Sequence, residues 1–464
     1  MGKVCAPLRK NETYELEITS ISNLGFGVSR YEKCVVFVRG GVTGDRAEVK
    51  IIKTTPSYAV GIITRLISPS KKRCSDRCDS IRCTSCAYKN VIYSHETEIK
   101  ENDVKAAFLK AGLADVEIEP IITSPATARY RNKAQYPVAM DKNGYTVGFY
   151  APKSHNVTEA RACPLAPTEF EQIINTLVVF FERYALSVYD EESGKGLLRH
   201  IYLRRGEVSG EILLTLVING NIIPAAGELV KLITEAYPTV VGILLNVNEK
   251  KTNVILGDEY ITLFGRDYIY DTLSGVKLKI TAPSFYQVNH DAAELLYKKA
   301  AELAQPRADD VMLDLYCGAG SIGLSMANKV RELIGIEIVE SAVECAKENA
   351  ADNGITNASF YTGDAKDTQK LLENAERSLG RKIKPTLVLL DPPRAGCSEE
   401  LIKYVAALAP ERVVYISCNP TTLARDSVLF RSLGYQLGKV TPVDMFPGTG
   451  HVESVVCLTR TFDN

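Results

Sequence analysis

From Pro283 onward the chain alternates short apolar runs with amphipathic stretches. The runs are VMLDLY, LIGIEI, ASFYT, PTLVLLD, RVVYIS and VESVVCLTR, and segments such as SAVECAKENAADNG lie between them. A strand that is apolar on both of its faces must be covered on both, and helices packed on the two sides of a parallel sheet do this. The pattern predicts a doubly wound α/β domain over residues 281–464. In such a sheet ligands gather outside the carboxyl ends of the strands. The residues that follow each apolar run are therefore the ones to read for chemistry.

VMLDLY runs into Cys317-Gly318-Ala319-Gly320-Ser321-Ile322-Gly323. Glycines at 318, 320 and 323 suit a strand-to-helix turn where a ligand lies against bare backbone. Glu337, at the end of LIGIEIVE, is placed to accept hydrogen bonds from a ribose diol. A nicotinamide dinucleotide or S-adenosylmethionine would satisfy both features. Asp364 in YTGDA ends another strand, and PTLVLLDPPRAG ends in Asp391-Pro392-Pro393-Arg394, where two prolines stiffen the lip of a site. A nicotinamide enzyme has no use for DPPR or for the SCNP of RVVYISCNPTTLARD, whereas an S-adenosylmethionine enzyme could use both. Cys418 in that last stretch falls between a strand and a helix opening near Pro420. Helix N-termini stabilise thiolates, which makes Cys418 a candidate nucleophile; the bland alternative is a small buried filler.

The front of the chain has another rhythm. Residues 12–68 alternate apolar and polar positions in short runs separated by glycine turns, as expected of a small β-barrel. Residues 1–100 hold 17 Lys and Arg against 10 Asp and Glu, although the whole chain carries a net charge of only −1. A basic front on an acidic body suits a polyanionic partner. SHETEIKENDVKAAFLKAGL (94–113) predicts an amphipathic helix with a serine start and a glycine stop. Residues 126–280 mix strand-like and helix-like segments, giving a central α+β domain. No apolar stretch reaches the roughly 18 residues of a membrane span, and no signal peptide is visible, so a cytoplasmic protein without a membrane partner is expected. Twelve cysteines in such a compartment are expected to be reduced, and clustered ones to be catalytic or metal-binding. Cys74, Cys78, Cys83 and Cys86 crowd one loop, and Cys163 stands far downstream in RACPLAP. Their soft donors suit zinc or an iron–sulfur cluster, and spacing alone does not separate the two.

SFYQVN (284–289), DLYCGAG (314–320), DPPRAG (391–396), SCNPTTLARD (417–426) and DMFPGTGHVESV (444–455) occur in an order that resembles the RNA uracil-C5 methyltransferases, the 5-methyluridine-forming family. The resemblance implies a Rossmann-like S-adenosylmethionine domain with Cys418 as nucleophile and Glu453 as the base that removes the carbon-5 proton. It also implies S-adenosylmethionine contacts by Gln287, Tyr316, Ser321, Glu337, Asp364 and Asp391. Adding a thiolate to carbon 6 of uracil makes carbon 5 an enolate-like nucleophile, which splits one difficult step into two.

Residues 8–68 are similar to the TRAM module, an OB-like RNA-binding β-barrel, so the expected division is 1–68, 69–280 and 281–464, with the 94–113 helix packing on the last. The family pattern favours a [4Fe–4S] cluster on Cys78, Cys83, Cys86 and Cys163 over zinc, with Cys74 in place of Cys78 as the alternative. Arg129 and Arg131, in ARYRNKAQYPV, also resemble a family motif and are candidates for RNA contact. Barrel and cysteines together imply an RNA partner, ribosomal RNA before tRNA, for a monomeric enzyme. The rival readings are a tRNA methyltransferase, a catalytically inactive RNA-binding protein and a nicotinamide oxidoreductase.

Overall fold

The computed structural model describes residues 8–75, 78, 83, 85–152 and 154–461. Six strands form the first sheet: β1 (Thr13–Glu17), β2 (Ser20–Ile21), β3 (Phe26–Tyr31), β4 (Cys34–Arg39), β5 (Arg46–Thr54) and β6 (Tyr58–Ser68), in the order β1-β5-β6-β4-β3-β2. The alternation read from the sequence is what folds it. Ala47, Val49 and Ile51 of β5 point inward with Leu16, Ile18, Val36 and Val38, while the residues between them face out. Cys34 in β4 is disulfide-bonded, so the expectation of uniformly reduced cysteines fails at that position.

Helix α1 (Tyr93–Lys110) starts one residue before the expected serine. Ile92 is its N-cap and makes no side-chain cap bond, so Ser94 lies inside the first turn. Gly112, with φ of +81°, ends it as read from the sequence. Val104 and Phe108, together with Leu113, are buried in one core with Leu313, Ile334 and Val413. Beyond α1 the chain runs beside β21 (Tyr435–Val443): Glu119 N–H donates to Val440 O and Ile122 N–H to Pro442 O.

The central sheet holds β7 (Lys133–Asp141), β8 (Gly144–Tyr150), β9 (Val157–Glu159), β10 (Leu198–Arg205), β11 (Ile212–Ile218), β12 (Val240–Val247) and β13 (Glu259–Gly265), in the order β13-β12-β11-β10-β7-β8-β9. Helices α2 (Thr168–Arg183) and α3 (Ala226–Ala236) cover one face through Phe170, Ile174, Leu229 and Ile233. The other face contributes Tyr202, Leu213 and Leu244 to a core shared with the last domain. Covered on both sides, β11 is buried along its whole length, which is why it reads ILLTLVI. A hairpin, β14 (Tyr268–Leu273) and β15 (Val276–Thr281), leads out of it.

The last sheet is the one that the apolar runs foretell. After α4 (His290–Ala304) come β16 (Val311–Leu315), α5 (Ser321–Met326), β17 (Glu332–Glu337), α6 (Glu340–Asp352), β18 (Ala358–Thr362), α7 (Thr368–Leu379) and β19 (Leu387–Leu390). Then follow α8 (Glu399–Leu408), β20 (Arg412–Ser417), α9 (Pro420–Ser432), β21 and β22 (Glu453–Arg460). The order is β18-β17-β16-β19-β20-β22-β21, with the first five strands parallel and β22 antiparallel to both of its neighbours. The sheet winds one way from β16 and the other way through β19, so the topological switch point lies between those two strands. Among the described residues no helix is long and apolar enough to cross a membrane.

Candidate active site

Tyr316 follows β16 and Asp391 follows β19, so the two flank the switch point where an open α/β sheet binds its ligand. Tyr316 has φ of +67°, a left-handed conformation rare for a bulky residue, and its N–H is held by Ile336 O at 3.0 Å. Glu337, at the end of β17, accepts from Gly318 N–H at 3.1 Å and from Val339 N–H at 2.9 Å, bracing the glycine turn from beside it. Gly323 has to be glycine: a Cβ there would meet Asp314 Oδ2 at 2.6 Å. Ser321 opens α5 with its hydroxyl 2.8 Å from that of Tyr297. Asp364 lies just past β18 and acts electrostatically on Tyr316. Gln287, in the segment before α4, has its carbonyl held by Asn132 Nδ2 at 2.8 Å.

Cys418 stands between β20 and α9. Asn419 caps α9 through the Thr421 N–H and also holds the Arg394 carbonyl at 3.1 Å. The antiparallel register of β20 and β22 ends with Ser417 paired to Ser454, so Cys418 and Glu453 are the residues next to that pair, and Glu453 acts electrostatically on the Cys418 thiol. The rest of SCNPTTLARD grips the DPPRAG loop. Asp426 accepts from Cys397 N–H at 2.9 Å and from the Tyr415 hydroxyl at 2.6 Å, and Arg425 donates to Ala395 O at 2.9 Å. Cys418, the Asp391 loop and Glu453 are thus tied into one edge of the sheet.

The electrostatics of this edge are dominated by burial. It pushes the carboxyls of Glu453 and Asp314 up to about 8 and that of Asp391 to about 7, with Asp391 adding to the other two. The Cys418 thiol is raised as well, by burial first and then by Glu453 and Asp391. The sequence reading expected the helix N-terminus to favour the thiolate; in this structure burial and two carboxylates outweigh it. Arg394 pulls Cys418 and Glu453 the other way. Its Nη2 lies 3.1 Å from Nε2 of His451, and burial, Arg394, Lys100 and Arg131 hold that imidazole below its ordinary range. Sequence reasoning missed Arg394 and His451; the signal for them is their place beside the strand ends in DPPR and HVES.

A second buried cluster fixes the loop that leads to Glu453. Lys100 of α1 is fully buried and donates to Glu96 Oε1 and Asp444 Oδ1, both at 2.7 Å, and to Phe446 O at 3.1 Å. Gly448 N–H donates to Glu96 Oε1 at 2.6 Å, Tyr88 N–H to Gly448 O at 2.9 Å, and the Tyr130 hydroxyl to Pro447 O at 2.8 Å. The barrel joins in: a Cβ on Gly450 would sit 1.8 Å from Asn23 O.

The cysteine loop abuts the same place. Burial pushes the Cys86 thiol up to about 12, with Cys163, Cys83 and Cys78 adding, while Cys163 is raised by burial and by Cys78 and Cys83. Cys74 is not among the groups acting on them; its sulfur faces Lys89 O at 3.9 Å. Among the described residues, however, no three His, Cys, Asp or Glu side chains stand at the spacing of a formed metal site. The four thiols share a neighbourhood without being closed to ligation distance. Asp76, Arg77, Asp79, Ser80, Ile81, Arg82 and Thr84 of this loop lie outside the described residues.

Comparison with known proteins decides the family. Residues 93–461 match the model of the tRNA (Uracil-5-)-methyltransferases, and residues 7–64 match the TRAM domain. The chain belongs to the uracil-5 RNA methyltransferase family. A relative from Clostridium tetani named an uncharacterized RNA methyltransferase is 40% identical over 98% of this chain and 97% of its own. One of the same description from Bacillus cereus is 36% identical over 99% of both. Among solved structures, the Pyrococcus abyssi tRNA (uracil-54, C5)-methyltransferase in complex with S-adenosyl-L-homocysteine superposes with a TM-score of 0.77 at 25% identity. That match covers 96% of this chain and 99% of the other. As a family member the chain is an RNA methyltransferase, and the sequence reading of its fold holds for the S-adenosylmethionine domain and for the barrel-like TRAM sheet.

Proposed function

We propose that this enzyme methylates carbon 5 of a uridine in ribosomal RNA, acting as a cytoplasmic monomer divided at 1–68, 69–280 and 281–464. The observation that carries the chemistry is the placing of Cys418 and Glu453 next to the last pair of β20 and β22, with Glu453 and Asp391 both acting on the Cys418 thiol. S-adenosylmethionine supplies the methyl group as a sulfonium cation, and the residues for it are Gln287, Tyr316, Ser321, Glu337, Asp364 and Asp391. Asp391 acts electrostatically on both Asp314 and Glu453, and such a gathering of carboxyls suits a cationic group. The Cys418 thiolate adds to carbon 6 of the uracil, and carbon 5 takes the methyl. Glu453 removes the carbon-5 proton, and the carbon–sulfur bond then breaks with its electron pair returning to sulfur. The base must leave its stack to reach Cys418, which favours loops over duplex as substrate.

The barrel together with the cysteine loop supports ribosomal RNA. The second reading is tRNA, and the Pyrococcus abyssi neighbour favours it: that enzyme is named for tRNA and aligns along nearly this whole chain. The deciding experiment is tritium release from RNA labelled at carbon 5 of uridine, with S-adenosylmethionine and either unmodified ribosomal RNA or tRNA. Release from one RNA names the substrate class. Release from neither, by folded protein, leaves an RNA-binding protein without catalysis. Cys418→Ala should lower release to background.

We infer further that Cys78, Cys83, Cys86 and Cys163 hold a [4Fe–4S] cluster that fastens the loop rather than serving methyl transfer, which needs no electron. The action of Cys78, Cys83 and Cys163 on Cys86, and of Cys78 and Cys83 on Cys163, supports this set. Iron and sulfide analysis after anaerobic purification tests it. Stoichiometric zinc without iron would install zinc instead.

A further inference from the structure

We propose that Lys133, Arg131 and Arg204 form a subsite for a backbone phosphate of the RNA, next to the nucleotide that enters the active site. The proposal rests on the RNA methyltransferase reading and names where the substrate's backbone is held. The register of β7 with β10 pairs Lys133 with Arg204, so both side chains lie on the same face of the central sheet. That face turns toward the catalytic domain, as Tyr202 and Leu213 show. Here the sheet meets the segment carrying Gln287. Arg204 Nη2 donates to Ser284 O at 2.6 Å, Asn132 N–H to Val288 O at 2.9 Å, and Arg131 pairs with Asn289. From there Arg131 acts electrostatically on His451, the neighbour of Arg394 beside Cys418. The cations thus continue the active-site edge rather than standing apart from it.

What distinguishes them is the lack of compensation. Arg205, next along β10, has Glu169 and Glu207 within ion-pair distance. Among the described residues no carboxylate pairs with Lys133, Arg131 or Arg204. Arg204 is 1% exposed, bonded only to neutral oxygens, and its Nη1 is buried without a hydrogen-bond acceptor. Burial, with Arg204 and Arg131, draws the half-buried Lys133 ammonium down to about 8. A buried guanidinium without an anion, with Lys133 and Arg131 half-buried beside it, is unfavourable unless a ligand supplies one. A phosphodiester is the anion that an RNA methyltransferase meets at every turnover.

The test uses the full chain, a uridine-containing RNA hairpin that it methylates, and Lys133→Gln with Lys133→Arg as the conservative variant. Lys133→Gln should raise KM for RNA about tenfold and leave kcat and S-adenosylmethionine binding unchanged. It should also flatten the dependence of log affinity on log salt by about 0.7, one phosphate's share for a single strand. Lys133→Arg should restore both. Replacing the phosphates around the uridine one at a time by neutral methylphosphonates should show one linkage that weakens binding to the wild type and not to Lys133→Gln. An unchanged salt slope, or a methylphosphonate profile identical in the two proteins, overturns the subsite while leaving the RNA reading intact. A wild-type chain that binds and methylates no RNA overturns both.

Discussion

Two groups of buried charge lie within one molecule and are compensated to different degrees. Around Lys100, each carboxylate has a cation and a backbone N–H: Glu96 takes Lys100 and Gly448 N–H, and Asp444 takes Lys100 and, at 3.1 Å, Phe446 N–H. Around Cys418, the carboxyls of Asp314, Asp391 and Glu453 are raised by burial, with Asp391 adding to the other two, and the cation that opposes this at Glu453 is the exposed Arg394. Paired in this way the first cluster serves the fold, although burial and Asp444 still raise the Glu96 carboxyl. The second is held in deficit by its surroundings, as sites awaiting a charged or reacting partner are.

The contrast can be broken from either side. Glu453→Gln should show the largest effect, a fall in turnover of about 10²- to 10⁴-fold, the usual range for a lost general base. Methylated RNA should then accumulate as a covalent adduct visible on a denaturing gel, because Cys418 still adds but the carbon-5 proton stays. Lys100→Met leaves two buried carboxylates without their cation and should cost about 3–5 kcal/mol of stability, read by chemical denaturation. Asp391→Asn, by contrast, should keep or raise the melting temperature while S-adenosylmethionine binding weakens, since it relieves a charge that burial already disfavours. If Asp391→Asn destabilised as Lys100→Met does, the two clusters would not differ in kind.

The smallest effect concerns pH. In the proposed mechanism Cys418 and Glu453 act in their deprotonated forms, and the acidity of both is suppressed in this structure, with Glu453 raised to about 8. Methylation should therefore rise from pH 6 through about 8. Arg394→Gln removes the charge that draws both groups downward, so the profile should shift to higher pH. An unshifted profile would sever Arg394 from the pair.

The catalytic edge was legible because a parallel sheet brings strand ends together, so motifs at those ends must meet whatever the loops between them do. Tyr316, Glu337, Asp391 and Cys418 are each the residue that follows or closes an apolar run. Pairings across domains left no such mark. Lys100 and Asp444 are 344 residues apart, and nothing in SHETEIKENDVK distinguishes the lysine that is fully buried from those in water. Lys133 and Arg204 looked like ordinary strand charges until the register of β7 and β10 set them side by side. The helix start was misplaced by a serine for a related reason: packing of α1 against the catalytic core, rather than a local cap, decides where it begins. At Cys418 the sequence showed the helix end, but not the two carboxylates that oppose it.

The position of β22 has a consequence for how the protein is made. This strand carries Glu453, and it slots between β20 and β21, both of which precede it in the sequence. On a translating ribosome Cys418, its loop and both flanking strands emerge first, with a gap between them. Glu453 arrives with the strand that fills it. Partly synthesised chains therefore hold the proposed nucleophile without the proposed base for the carbon-5 proton, and on that proposal full turnover waits for the last strand.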